Sequence, residues 1–409
     1  ATQLVDGPPA VFSFLFRRAT GRFFTCAVSE RRVLLPGFYD TGRTGRTVMS
    51  RIYNFYSGPS TLPLTALEEV SAKMVDFEGT GMSLIEMSHR GREYDRIHNE
   101  TIALFSEILK VPDGFHVVIL QGGATMLFGL VPMALIPRGG HADFILTGHW
   151  GVRAHEDAST IANARIAWDG KGEGFRRIPA RSEIALSGDA AYVHLCTNET
   201  IGGIQWSEFP ATGGVPLVAD MSSDIMSRPL DWDRFAMVFA GTQKNLAPAG
   251  MTVMVVRDDF ARTARRDLPS YFRLDLHIDN NSLFNTPPTF VVWMMNLTLR
   301  WIKSIGGMAE VERRRDAKAG LIYSAIDASG GFYTSPVDTS SRSKMNVVWH
   351  LHDAALLDPF LKEAEKAGLA GLKGHRSVGG LRASIYDAMP VEGAKALADF
   401  MNHFRERHG

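Results

Sequence analysis

Cysteine is almost absent from this chain: Cys26 and Cys196 are the only two in 409 residues. They form no CxxC pair and stand in no zinc-ligand spacing. This argues against a disulfide framework or a zinc site and suits a reducing compartment such as the cytoplasm. Long apolar runs are missing too, and none approaches the roughly 20 residues that a membrane-spanning helix needs. Net charge is also lacking, since Lys+Arg and Asp+Glu both total 44. A neutral chain offers no global attraction for nucleic acid or an anionic membrane, so any anion must be recognised by a local cluster of cations. No internal repeat or low-complexity tract is visible. The chain is long enough for one large or two ordinary domains, and its hydrophobic share of 45% is ordinary for a globular enzyme.

Residues 1–48 differ from the rest. They carry seven arginines, from Arg17 to Arg46, against Asp6, Glu30 and Asp40 as the only acids, with no sustained helical or strand period. Three readings stay open for them: an organellar transit segment, upstream or leader sequence ahead of a start at Met49, and a functional arm. From Met49 onward the chain is long enough to be a self-contained enzyme.

Beyond that point short apolar runs alternate with helical periods. Strands are expected at 117–120, 144–148, 192–196, 217–220, 237–241 and 251–256. Helices are expected up to about Phe77, with Leu67, Val70, Met74 and Phe77 on one face, then up to Lys110, over 126–135, after Trp150, and over 290–305 and 308–329. A smaller region follows, with strands at 345–351 and 381–386 and helices at 353–367 and 391–407. This alternation predicts a mainly parallel α/β sheet, and every polar motif sits just after a strand's end, where such sheets bind ligands.

Lysine is costly to desolvate, so Lys244, on a short turn between two buried strands, is out of place unless it works as a nucleophilic amine. Upstream, the apolar run Leu217-Val218-Ala219 ends in Asp220. An acid ending one strand and a lysine following the next is the layout of a pyridoxal phosphate site, where the acid keeps the ring nitrogen protonated. Gly122-Gly123-Ala124-Thr125 opens a helix and resembles a phosphate cup, although glycines at such a turn also serve packing alone. Trp150 can stack on a planar ring or belong to the core; Thr200 can bond a ring hydroxyl or simply close its turn. His89-Arg90 and the run from Lys373 to Arg382 are cation clusters, read either as anion sites or as solvated basic loops.

Taken together, the segments YNFYSGPSTLP, EMSHRGREY, LQGGAT, TNETIGG, VADMSSDIMSRP, AGTQKNLAPAGMT, NTPPTF, RSKMN and GLKGHRSVGGLRASIYDAMP resemble the phosphoserine aminotransferase family. These are fold-type I pyridoxal phosphate enzymes of the class V aminotransferase group, and the resemblance runs from about Ile52 to the C-terminus. It implies a large domain over 62–307 with a mainly parallel seven-stranded sheet flanked by helices, and a smaller α+β domain from 49–61 and 308–409. It implies that Lys244 binds the cofactor covalently and shuttles the proton, with Asp220 on the ring nitrogen, Trp150 on the ring and Thr200 at its hydroxyl. Gly123, Ala124, Thr125 and Gln243 would hold the cofactor phosphate, joined by Asn285 and Thr286 from a neighbouring subunit of a homodimer. His89 and Arg90 would bind the substrate's phosphate or distal carboxylate, also across the interface, and Arg382 its α-carboxylate, with His375 and Arg376 nearby. The implied reaction is amino transfer between glutamate and 3-phosphohydroxypyruvate, giving O-phospho-L-serine and 2-oxoglutarate; a phosphorylated hydroxythreonine precursor of the cofactor is a further candidate substrate. Thr125 departs from members that carry arginine there, which shifts the load to His89, Arg90, His375 and Arg376. Residues 1–48 have no counterpart in the family pattern. Two other readings are a cysteine desulfurase, which needs a mobile loop cysteine, and a cofactor-binding relative without turnover.

Overall fold

The computed structural model describes residues 51–409, together with the backbone of two short strands, Tyr39–Thr41 and Thr47–Met49, which pair antiparallel. Apart from those strands, the segment 1–48, with Cys26 and the three readings of its role, lies outside the described residues.

Seven strands form the central sheet: β1 Phe115–Gly122, β2 His141–Leu146, β3 Asn163–Asp169, β4 Val193–Cys196, β5 Leu217–Asp220, β6 Met237–Gly241 and β7 Gly250–Arg257. Their spatial order is β1-β7-β6-β5-β4-β2-β3. Strand β7 alone is reversed, pairing antiparallel with both β6 and β1, while the other pairings are parallel. The reversal follows from chain length: the segment between β6 and β7 is too short for a crossover, so the chain must turn straight back. Lys244 lies on that turn.

Strand β3 was not legible as an apolar run. It is the sheet's edge, and Ala167 is its only buried residue, so no continuous hydrophobic stretch was required. The six expected strands are present with boundaries moved by a few residues.

Alternate residues of each strand feed two cores. Ile119, Leu195, Ala219, Val238 and Val253 face one side, against helices α2 (Arg92–Leu109) and α5 (Thr289–Ser304). Val118, Leu120, Phe144, Val218 and Phe239 face the other, against α3 (Ala124–Leu135) and α4 (His149–Ser159). The first helix, α1, is shorter than the periodicity predicts and spans Leu64–Lys73. Glu78, Gly79 and Gly81 all have positive φ and fold the chain back, so Phe77 reaches its buried place, edge-on to Trp293, from a turn.

The smaller antiparallel sheet joins β8 (Tyr333–Thr334), β9 (Asn346–Leu351) and β10 (Leu381–Ser384). It packs with helices α6 (Gly307–Asp327), α7 (Leu357–Lys366) and α8 (Val391–His408) around Trp349, Phe360 and Leu397. Tyr53–Asn54 pairs in parallel with Leu369–Ala370. Among the described residues no helix is long and apolar enough to cross a membrane, and no cluster of His, Cys, Asp and Glu could hold a metal ion.

Candidate active site

The parallel strands deliver their C-terminal ends to one edge of the sheet, so Gly122, Asp220 and the turns after β2, β4 and β6 converge there. The lysine turn is held from inside. Thr242 Oγ1 donates to the carbonyls of Pro248 (2.7 Å) and Met251 (3.1 Å), and Asn245 Nδ2 donates to Ile225 O at 2.7 Å. It is also covered from outside: Ser60 donates through its backbone to Gln243 O and through its hydroxyl to Lys244 O.

Lys244 Nζ donates to Thr200 Oγ1 at 2.6 Å and lies 5.4 Å from the centre of the Trp150 ring. Asp220 is buried beside it, and its Oδ1 accepts both the backbone N–H (2.8 Å) and the hydroxyl (2.5 Å) of Ser222. Burial pushes the Asp220 carboxyl up, opposed by the Lys244 charge and the Ser222 bonds. Ser222 Oγ also accepts the Gly241 N–H at 2.9 Å, which locks the acid to the end of β6.

Trp150 is oriented through its backbone. Glu199, fully buried, accepts the N–H groups of Trp150 (2.9 Å) and Gly151 (2.8 Å), capping the start of α4. A Cβ on Gly148 would sit 2.5 Å from Glu199 Cδ, so only glycine leaves room for this carboxylate. Burial raises the Glu199 carboxyl from near 4.5 to about 7, against the two N–H bonds that favour its charge.

The cup has the form an anion needs. Helix α3 starts at Ala124 with no side-chain cap, Gly122 has a φ of 112°, and a Cβ on Gly123 would meet nothing within 4 Å. A Cβ on Gly241 would fall 2.8 Å from Gln243 Oε1 and 3.4 Å from Ala124 N. The glycine therefore lets Gln243 and the helix start approach one another. A small anion on this helix start, a planar ring between Trp150 and the β5–β6 ends, and a buried acid at Asp220 together fit pyridoxal phosphate.

Arg382, on β10, enters from the smaller sheet. Its Nη1 donates to Thr200 O (3.2 Å) and its Nη2 to Ser57 Oγ (2.8 Å), while its buried Nε has no partner. Half-buried His375 places its ring 5.8 Å from that of His149, next to Trp150. Burial and the charges of Arg382, His149 and Arg376 lower its pKa.

The structure thus brings together Lys244, Asp220, Trp150, Thr200, Gly123, Ala124, Gln243, Arg382 and His375, with Thr125 in the first turn of α3. Within one chain it does not bring the others to the lysine. His89 and Arg90 sit on the loop before α2, where Arg90 is exposed and its N–H is held by Ser88 Oγ at 3.2 Å. Asn285 Nδ2 donates to Gln121 Oε1 at 2.7 Å, and Gln121 donates back to Thr286 O, both on an exposed loop. Arg376 is exposed. Sequence reasoning missed Glu199, Ser222, Ser57 and Ser60; Glu199 alone left a signal, as the acid inside the turn that contains Thr200.

Comparison with known proteins agrees with this geometry. The class-V aminotransferase family matches residues 52–397. The chain is a class-V aminotransferase. It is 49% identical to a phosphoserine aminotransferase of Laribacter hongkongensis, over 88% of this chain and 99% of that one. Among solved structures, the phosphoserine aminotransferase of Bacillus circulans subsp. alkalophilus superposes with a TM-score of 0.86 at 47% identity, covering 88% of this chain and 99% of that chain. A pyridoxal phosphate-bound phosphoserine aminotransferase from Trichomonas vaginalis gives 0.81 at 33% identity, over 86% of this chain and 100% of that one. Membership brings pyridoxal phosphate as the cofactor of this aminotransferase.

Glu199 binds its proton more tightly folded than unfolded, so stability contributed by this group falls as pH rises from about 4.5 to 7. Glu199→Gln removes that slope. In urea unfolding across this range, the stability of the wild type relative to the variant is expected to be greatest near the acid end and to shrink towards neutrality. A gap that widens with pH would contradict the buried carboxyl.

Proposed function

We propose that this aminotransferase moves an amino group between glutamate and 3-phosphohydroxypyruvate, giving O-phospho-L-serine and 2-oxoglutarate. One observation carries the reading: Thr200 is bound on its hydroxyl by Lys244 and on its carbonyl by Arg382. The amine that must reach a substrate Cα and a guanidinium suited to the attached carboxylate are thereby held one residue apart.

Trp150, Thr200, Asp220 and the cup of Gly123, Ala124, Thr125 and Gln243 would hold pyridoxal phosphate, which supplies an electron sink for negative charge at the substrate Cα. Lys244 Nζ takes the proton from Cα and returns it in the reverse half of the reaction. Asp220 keeps the ring nitrogen protonated. Arg382 orients the α-carboxylate so that the Cα–H bond faces Lys244. Trp150 would stack on the ring and shield that face from water. His375 and Arg376 meet the substrate's distal anion.

A second copy of the chain would complete the site. The loops bearing His89-Arg90 and Asn285-Thr286 are next to exposed apolar residues, Met82, Ile85 and Phe284, and a homodimer covering these would bring both pairs to the neighbour's cup. In this arrangement residues 62–307 act as the cofactor domain, and 49–61 with 308–409 as the domain that delivers Arg382. A desulfurase is disfavoured because Cys196 is buried in β4 and burial pushes its thiol well up.

Two outcomes test the reading. The purified holoenzyme should use phosphoserine with a kcat/KM at least about 100-fold above that for serine, the size expected when two charge-assisted hydrogen bonds are lost; equal use of serine would remove the phosphate from the account. Arg382→Ala should raise KM for glutamate and for phosphoserine together, because both present an α-carboxylate. An effect on only one of them would show that Arg382 does not hold this group.

A further inference from the structure

Two of the sequence segments have no role in the site so far: RSKMN, which ends at Asn346, and the glycine pair at the end of TNETIGG. In the fold they interlock. Ser343 N donates to Gly203 O at 2.8 Å, and Ser343 Oγ donates to Asn198 Oδ1 at 2.5 Å. Gly203 has a φ of 75°, and a Cβ there would lie 2.9 Å from both Asn346 O and Val348 Cγ2. Glycine is what allows β9 to come so close to the turn that carries Thr200.

Asn346 is fully buried at this contact and uses its whole amide. Its Oδ1 accepts from Asn198 Nδ2 (2.7 Å), and its Nδ2 donates to Ser384 Oγ (2.8 Å) and to Tyr386 Oη (3.2 Å). The orientation is fixed independently, since Asn198 Oδ1 is already taken by Ser343 and only its Nδ2 can face Asn346. Tyr386 Oη in turn donates to Ser57 O at 2.8 Å, and Ser57 Oγ accepts from Arg382. Arg382 reaches back to Thr200 O, two residues beyond Asn198. The connections close a ring: Arg382, Thr200, Asn198, Asn346, Tyr386, Ser57 and Arg382 again. Four stretches far apart in sequence meet in it, around Ser57, Asn198–Thr200, Asn346 and Arg382–Tyr386, and the central sheet is tied to the smaller one.

We propose that Asn346 is a positioning residue that holds Arg382 in register with Thr200, and so fixes the distance between the substrate's carboxylate seat and Lys244. It touches neither substrate nor cofactor; it acts through Tyr386 and Ser57 on one side and Asn198 on the other. The proposal rests on Arg382 taking the α-carboxylate, as argued above. A buried amide with every donor and acceptor used resists replacement, because each neighbour would be left unpaired. An apolar residue of the same size would fill the space and release Arg382.

The experiment compares Asn346→Leu, which breaks the ring at its centre, with Tyr386→Phe, which removes one hydroxyl and threatens the fold less. In both holoenzymes kcat/KM for phosphoserine and for glutamate should fall about five- to tenfold, the loss expected for one or two ordinary hydrogen bonds that seat and orient the carboxylate. A second readout does not depend on turnover. Phenylglyoxal labelling followed by peptide mass spectrometry should show Arg382, 9% exposed in the wild type, reacting faster in both variants, while Arg315, 4% exposed, keeps its rate. Unchanged kcat/KM values, or Arg315 and Arg382 accelerating together as in general loosening, would overturn the proposal. Failure of the wild type to prefer phosphoserine would instead count against the proposed substrate, and the labelling contrast would still decide whether Asn346 secures Arg382.

Discussion

Thr200 held from two sides is the constraint on which the rest depends. An amine and a guanidinium are brought to the hydroxyl and the carbonyl oxygen of one residue. Burial alone disfavours this, since a guanidinium taken out of water loses hydration. The arrangement becomes tolerable because Asp220 is buried close to Lys244, and because both groups are anchored through neutral acceptors.

The same logic separates ions that matter from ions that do not. Asp220 and Glu199 are buried acids held by specific N–H and O–H donors, and losing those donors would leave charge stranded in the interior. The stretch around 262–266 is basic, with Arg262, Arg265 and Arg266. In the fold, Arg262 pairs with Asp258, Arg265 with Asp267 and Arg266 with Asp275, all at exposed or half-exposed positions. Such surface pairs contribute roughly 0–1 kcal/mol each and leave no cation looking for a ligand.

What was legible in the sequence follows from locality. Buried strands need unbroken apolar runs, so β5 and β6 were readable to the residue, whereas edge strand β3 needs only Ala167 inside and was invisible. Lys244 and Asp220 were readable because a charge at the end of such a run is expensive. Glu199 left only its place as the acid in the Thr200 turn, and Ser222, Ser57 and Asn346 left nothing, because each acts on a partner that the chain reaches only after folding: Gly148 must yield space to Glu199, and Gly203 to β9. The serines and the asparagine are ordinary types for turns, and nothing local distinguishes them from solvent-facing residues. Asn285 and Thr286 point to a further limit, since within one chain they meet Gln121 and their proposed ligand belongs to another copy.

The central claim is that Lys244 is the amine at which cofactor and substrate chemistry meet. Borohydride reduction of the holoenzyme, followed by peptide mass spectrometry, tests it most directly. The account predicts a single phosphopyridoxyl adduct, carried by the peptide containing Lys244 and absent from Lys244→Ala. An adduct on another lysine, or none in an enzyme that transfers amino groups at full rate, would contradict it.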